Sequence, residues 1–351
     1  MDRGLSRRGL VRSAGGLAAA GVLTALAGCN GFLSGGDGGG PSPLDGVPAG
    51  SDFVAHVDVA SLLGDASLRD AANRLLATAT PAGGSPTVEG ELDALQRGWG
   101  LDPRRAKSAL AFGRYEETPR AALVLRTGWR ESALLGALRR RTDTRFQQES
   151  YGGRTLYVQA GSERTGVLTS LGDGAFAVGR RSLVEGAIDV RRGEADAVSG
   201  PVRQGFTETS GRYARFSTTV PASMLPAAAT GGSFNVGPLR RIQRAYGSMG
   251  RSGDGYHLSA SFAVASRDAA DRLRTILSNV VQLAPRYLGN GVSWGDEFAS
   301  AIQSTEVSRH GSTVTVEYRG TARGAVLLTG GAMLLATGST IGAGSSVGFR
   351  P

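Results

Sequence analysis

The chain has 351 residues, a formal net charge of +9, 40% hydrophobic residues and a single cysteine, Cys29. One thiol excludes an internal disulfide and a thiolate metal site, and His56, His257 and His310 stand too far apart for a paired-histidine zinc motif. The sole lysine, Lys107, follows Ala106, so there is no Gly-Lys-Ser/Thr phosphate loop, and the scattered arginines without interleaved aromatics argue against nucleic acid as a partner.

The N-terminus reads as an address. A charged start, an apolar stretch from Ala14 to Ala27 and a small-residue cleavage region make the three-part pattern of a secretory signal. Arg7 and Arg8, preceded by Ser6 and followed by Leu10-Val11, resemble the twin-arginine consensus, which implies export in the folded state. Leu26-Ala27-Gly28-Cys29 resembles a lipobox, which implies cleavage after Gly28 and a lipid on Cys29. A plain transmembrane helix is the weaker reading, because Ser13 to Gly28 falls short of the roughly 20 residues needed to span. The expectation is a signal peptide over 1–28 and attachment by Cys29 to the extracytoplasmic face of the cell membrane. Residues 29–50, rich in Gly, Pro and Ser, read as a flexible tether.

Beyond the tether, Phe53 to Val59 alternates with period two, predicting a strand with Phe53, Ala55, Val57 and Val59 on its core face. Asp58 or Ser61 can cap the helical pattern from Ala66 to Ala77, and Leu92, Leu95 and Trp99 mark a short amphipathic helix. Strands at Ser108–Arg114 and Arg120–Arg126 precede a helix from Arg130 to Arg140. A Gly152-Gly153 hairpin follows, then strands near Gly166–Ser170 and Ala175–Gly179 and a helix from Arg181 to Arg191.

The second half repeats this pattern of elements. Arg212 to Val220 before Pro221 echoes the opening strand, and Tyr256 to Val264 leads into a helix from Arg267 to Leu283. Strands at Ser304–Arg309 and Thr313–Arg319 mirror the Arg154 hairpin. The fold class is therefore α+β, two similar modules of antiparallel sheet with packed helices, over 51–200 and 201–323. Val47-Pro48-Ala49-Gly50-Ser51-Asp52, the Tyr151-Gly152-Gly153 step and Leu171 to Gly179 running into Val184 to Asp189 resemble the DUF3352-type exported proteins. The resemblance implies this fold and an exported location, and carries no catalytic residues.

Other chemistries are set aside. Gly344-Ser345-Ser346-Val347-Gly348 lacks the helix and the partners that a nucleophile elbow requires. Gly172-Asp173-Gly174 and Gly253-Asp254-Gly255 fit hairpin turns better than calcium loops, and Glu116-Glu117 fits a solvated turn. From 324 to 351 an apolar segment around Ala325 to Ala336 has the length of a membrane span, although the arginine bias opposes that orientation; the other reading is a buried helix to about Ala336 with a Gly/Ser tail. The functional expectation is an envelope component that binds or scaffolds without catalysis, with no cofactor and no metal. The alternatives are a hydrolase built from dispersed residues such as His56, Asp58 or His257, and a solute-binding lipoprotein of a transporter.

Overall fold

The computed structural model describes residues 42–79, 86–115, 120–142, 146–159, 166–221, 241–288 and 295–336. Arg7, Arg8, the lipobox Leu26-Ala27-Gly28 and Cys29 lie outside them, as do Glu116-Glu117 and Gly344 to Gly348.

The protein is α+β. Its strands are β1 (Phe53–Val57), β2 (Ala106–Arg114), β3 (Arg120–Thr127), β4 (Phe146–Tyr151), β5 (Arg154–Gln159), β6 (Gly166–Gly172), β7 (Ala175–Arg180), β8 (Ala214–Thr219), β9 (Ile242–Ser252), β10 (Gly255–Val264), β11 (Thr305–His310) and β12 (Thr313–Gly320). The described helices are α1 (Val59–Gly64), α2 (Ala66–Ala79), α3 (Val88–Trp99), α4 (Glu131–Thr142), α5 (Arg181–Arg192), α6 (Gly200–Thr207), α7 (Arg267–Leu288), α8 (Gly295–Gln303) and α9 (Ala322–Ala336).

The twelve strands of the described residues join one sheet in the order β11-β12-β10-β9-β8-β1-β2-β3-β7-β6-β5-β4. The two halves meet at an antiparallel seam in which Ala55 of β1 faces Phe216 of β8. Outward from the seam the order is β1, β2, β3, β7, β6 on one side and β8, β9, β10, β12, β11 on the other. On each side a hairpin (β2–β3, β9–β10) is followed by a helix (α4, α7), and a later hairpin (β6–β7, β11–β12) docks against it. The strands β5 and β4 extend the first half only, through the Gly152-Gly153 turn whose φ of 53° and 72° suits glycine.

Helices cover both faces at the centre, so β1 differs from its expected one-sided pattern. Val54, 1% exposed, packs with Leu110 and Phe112 of β2 beneath Val184 and Ile188 of α5 and Val202 and Phe206 of α6. On the opposite face α4 covers Leu168 and Phe176, and beyond the seam Met249, Tyr256 and Tyr318 meet Leu68 of α2 and Ala325 of α9. In the second half the first face is polar instead. Ser248 Oγ and Ser259 Oγ lie 3.0 Å apart, and Ser261 Oγ and Thr315 Oγ1 2.9 Å apart, across β9, β10 and β12.

Further elements differ from the sequence reading, and the C-terminal one follows the second of its two alternatives. The tether ends before residue 50: Leu44 and Val47 are fully buried, Ser42 and Asp45 form a reciprocal capping box on a 3-10 turn at Pro43–Gly46, and the Ala49 amide donates to the Asp196 carbonyl at 2.9 Å. Two apolar side chains with a core to enter outweigh the disorder favoured by the flanking composition. The strand β9 carries no clear period in the sequence, and the helices α6 and α8 are too short to stand out, although Val202, Gly205 and Phe206 and likewise Phe298, Ala301 and Ile302 fall at helical spacing. The C-terminal apolar segment forms α9, whose Ala325 and Leu327 are buried against Leu68, Phe298 and Ile302. No helix among the described residues is long and apolar enough to cross a membrane.

Close packing at β9 makes a defined demand on sequence. A Cβ at Gly247 would run into the Ser259 carbonyl and lie 2.7 Å from Phe216 Cε1. Backbone on the adjacent strand cannot withdraw without breaking ladder bonds, so Gly247→Ala is expected to cost about 1–3 kcal/mol by overpacking. Chemical denaturation of the purified variant checks this, with a lowered midpoint as the expected result.

Candidate functional site

The chain leaving β1 turns into the short helix α1 and then the longer α2, and aspartates govern both starts. Asp58 Oδ1 accepts from the Ser61 amide at 2.8 Å, and Asp58 Oδ2 accepts from the Ser61 hydroxyl at 2.9 Å, capping α1. Asp65 stands just before α2, where its Oδ1 accepts from the Leu68 amide at 3.1 Å. The same carboxylate reaches across to the second half: Tyr256 donates its hydroxyl to Oδ1 at 2.7 Å and Tyr213 donates to Oδ2 at 2.6 Å. The two tyrosine rings stack with centroids 6.2 Å apart. Arg251 lies over the Tyr256 ring at 5.5 Å and comes within 4.0 Å of Asp65 Oδ2.

Asp65 is only 9% exposed. Burial pushes its pKa up, but the hydroxyls of Tyr213 and Tyr256, the Leu68 amide and the charge of Arg251 outweigh that and hold it below the usual carboxylate range. The tyrosines respond in the opposite sense. Burial and the neighbouring carboxylate raise both, so each keeps its proton and remains a donor.

Arg251 also belongs to an open cleft of about 800 Å³ at this end of the sheet. Asp58 and Ser61 line it from the β1–α1 junction, and Ser210, Gly211 and Arg212 from the loop before β8. Arg251 and Ser252 come from the end of β9, His257 from β10, and Glu317 and Arg319 from β12. The loop can pass because Gly250 has no side chain: a Cβ there would sit 3.0 Å from Gly211 Cα. Arg319 donates to Glu317 Oε1 from Nε at 2.9 Å and from Nη2 at 2.8 Å, while Arg212 Nε approaches Ser61 Oγ at 3.4 Å. Burial lowers the His257 pKa; Glu317 opposes the shift and Arg319 adds to it.

The structure sorts the residues singled out from sequence. Asp58 and His257 line the same cleft, whereas His56 pairs with Leu110 and Arg215 within the sheet and is not among the lining residues. Burial pushes the His56 pKa down to about 4, with Arg215 and Arg126 adding to the shift and Asp58 opposing it. His310 ends β11, on the outermost strand. Asp173 and Asp254 occupy hairpin turns, Asp173 with a φ of 51°. Among the described residues no group of three or more His, Cys, Asp or Glu side chains gathers to hold a metal. Sequence reasoning missed Asp65, Tyr213, Tyr256, Arg212 and Arg251. Only Asp65 carried a local signal, as a capping residue ahead of an apolar-periodic helix.

Removing the Asp65 carboxylate strands two buried hydroxyls and uncaps α2. Asp65→Ala is expected to lose about 3 kcal/mol, and Asp65→Asn less because one acceptor is kept; urea unfolding of both variants gives the comparison. His56 yields a pH signature. Its folded pKa of about 4 lies below its ordinary 6.5, so its contribution is complete above 6.5 and is lost as pH falls through 4. Melting temperatures at pH 7 and pH 4.5 should therefore diverge less in His56→Gln than in the wild type.

A scan against protein-family models gives no match, and neither does a search of curated proteins. Among solved structures, the chain is similar to crystal form III of TP0453, with a TM-score of 0.46 and 11% identity over 84% of this chain and 100% of that one. Crystal form I of TP0453 gives a TM-score of 0.43 and 10% identity over 84% and 98% of the two chains.

Proposed function

We propose that this is a lipid-anchored extracytoplasmic protein of the cell envelope that binds a hydrophilic ligand without chemically altering it. The observation that carries the binding role is the cleft, where three guanidinium groups and three serine hydroxyls converge from separate segments of the chain. Such a lining suits polar recognition, since guanidinium forks and hydroxyls supply several directed donors. Two groups that a hydrolase could use are engaged outside such a role: the Ser61 hydroxyl donates to the Asp58 carboxylate that caps α1, and His56 is paired within the sheet and does not line the cleft. Anchoring is supported by the sequence from Arg7-Arg8 to Cys29, whose order of charge, apolar stretch and lipobox matches a twin-arginine lipoprotein signal.

Membrane fractionation of wild type beside Cys29→Ser, with the mature N-terminus read by mass spectrometry, tests the anchor. The expected result is an acylated N-terminal Cys29 in the wild type and release of the variant from the membrane fraction. An unprocessed wild-type N-terminus overturns the anchor. Turnover in a broad hydrolase screen, abolished by His257→Ala, overturns the non-catalytic role in favour of an envelope hydrolase.

A further inference from the structure

We propose that the cleft binds a phosphodiester carried on a hydroxyl-bearing group, with Arg212 and Arg251 as the principal phosphoryl contacts. This deepens the binding role proposed above and rests on it.

The charge balance of the cleft selects the class of ligand. Its arginines are Arg212, Arg251 and Arg319, and its carboxylates are Asp58 and Glu317, leaving a surplus of one positive charge. Both carboxylates already have partners. Asp58 spends its oxygens on the Ser61 amide and hydroxyl, and Glu317 accepts two bonds from Arg319. The guanidinium groups are less evenly matched. Among the described residues Arg212 forms no ion pair, and its side chain makes a long hydrogen bond of 3.4 Å to Ser61 Oγ. Arg251 has as its nearest carboxylate Asp65, 4.0 Å away, whose oxygens already take the Tyr213 and Tyr256 hydroxyls.

Arg212 and Arg251 line one cleft from separate segments, and each can donate to an anion bound there. Guanidinium forks match phosphate oxygens in spacing and planarity, and each charge-assisted bond is stronger than a neutral one. With Asp65 also 4.0 Å from Arg251, the cleft has no large positive excess, and the single charge of a phosphodiester suits it better than a dianion. The dianion of a monoester would face Asp58 and Glu317 with insufficient compensation. Ser210 and Ser252 add hydroxyls that can accept as well as donate, which suits ligand hydroxyl groups beside the phosphoryl.

A soluble polymer and a lipid headgroup can both present this chemistry, and the test separates them. Isothermal titration of the full-length protein would use glycerophosphoglycerol as the diester probe, with glycerol 3-phosphate and sulfate as comparators. Flotation would use phosphatidylcholine vesicles with and without phosphatidylglycerol. The expected result is saturable binding of the soluble diester, tighter than either comparator, weakening at least about tenfold in Arg212→Gln, in line with the loss of a charged hydrogen bond. Arg212 is exposed, so the melting temperature of the variant should match wild type; Arg319→Gln serves as a second exposed variant with a smaller expected loss. Recruitment to phosphatidylglycerol vesicles alone, abolished by Arg212→Gln, supports the site with a lipid headgroup as the source. Absence of binding to both diester forms overturns the inference, as does binding that is indifferent to Arg212→Gln or equally tight for sulfate. Hydrolysis of the bound diester would instead sink the non-catalytic role and leave the phosphodiester site standing.

Discussion

The carboxylate of Asp65 is where the two halves of the chain become one structure. A buried charge is costly unless donors surround it, and here the Leu68 amide is local while the other donors are remote in sequence: Tyr213 and Tyr256 from the second half, and Arg251 at the margin. The carboxylate therefore requires that α2, the start of β8 and the β9–β10 hairpin arrive together. Partial assembly leaves either an unpaired charge or stranded hydroxyls. Arg251, held between the Tyr256 ring and this carboxylate, carries the constraint to the surface and sets one wall of the cleft.

The arrangement also explains why the cleft lies where it does. The β1–β8 seam is covered by helices on both faces, and the cleft lies beside it, where β1 and β9 end. Asp58 emerges from β1 there, its amide bonded to the Tyr213 carbonyl at 2.8 Å, and the Ser210–Arg212 loop crosses above Gly250. Capping, ladder and loop bonds thus fix the cleft walls before any ligand enters. A preformed polar surface of this kind spends little conformational entropy on binding.

Much of the fold was legible along the chain because its hairpins and helices follow local rules. The Gly152-Gly153 turn, the α5 face of Leu183, Val184, Ala187 and Ile188, and the strands around His310-Gly311 all announce themselves by period or turn chemistry. β9 does not. Its Gly247 and Gly250 exist for neighbours, Phe216 and Gly211, that the sequence cannot place beside them. Leu44 and Val47 were obscured by the glycines preceding them. The site was less readable still: Tyr213 and Tyr256 look like ordinary strand aromatics, and nothing local reveals that their hydroxyls meet one carboxylate. His56 and Asp58, two residues apart, would share a face of one strand, yet β1 ends at Val57, so His56 stays paired within the sheet while Asp58 turns out of it to cap α1.

The position of β1 has a mechanical consequence. The N-terminal segment docks through Leu44 and Val47 and then runs directly into the middle strand of the sheet, paired on one side with β2 and on the other with β8. A pull transmitted from that end meets two hydrogen-bonded ladders at once, loaded along the strand direction, before any outer strand feels it. Peeling from an edge, where bonds fail one after another, is not the first event. Force applied at the N-terminal side of β1 is thus taken first by the two central ladders, ahead of the outer strands β4 and β11.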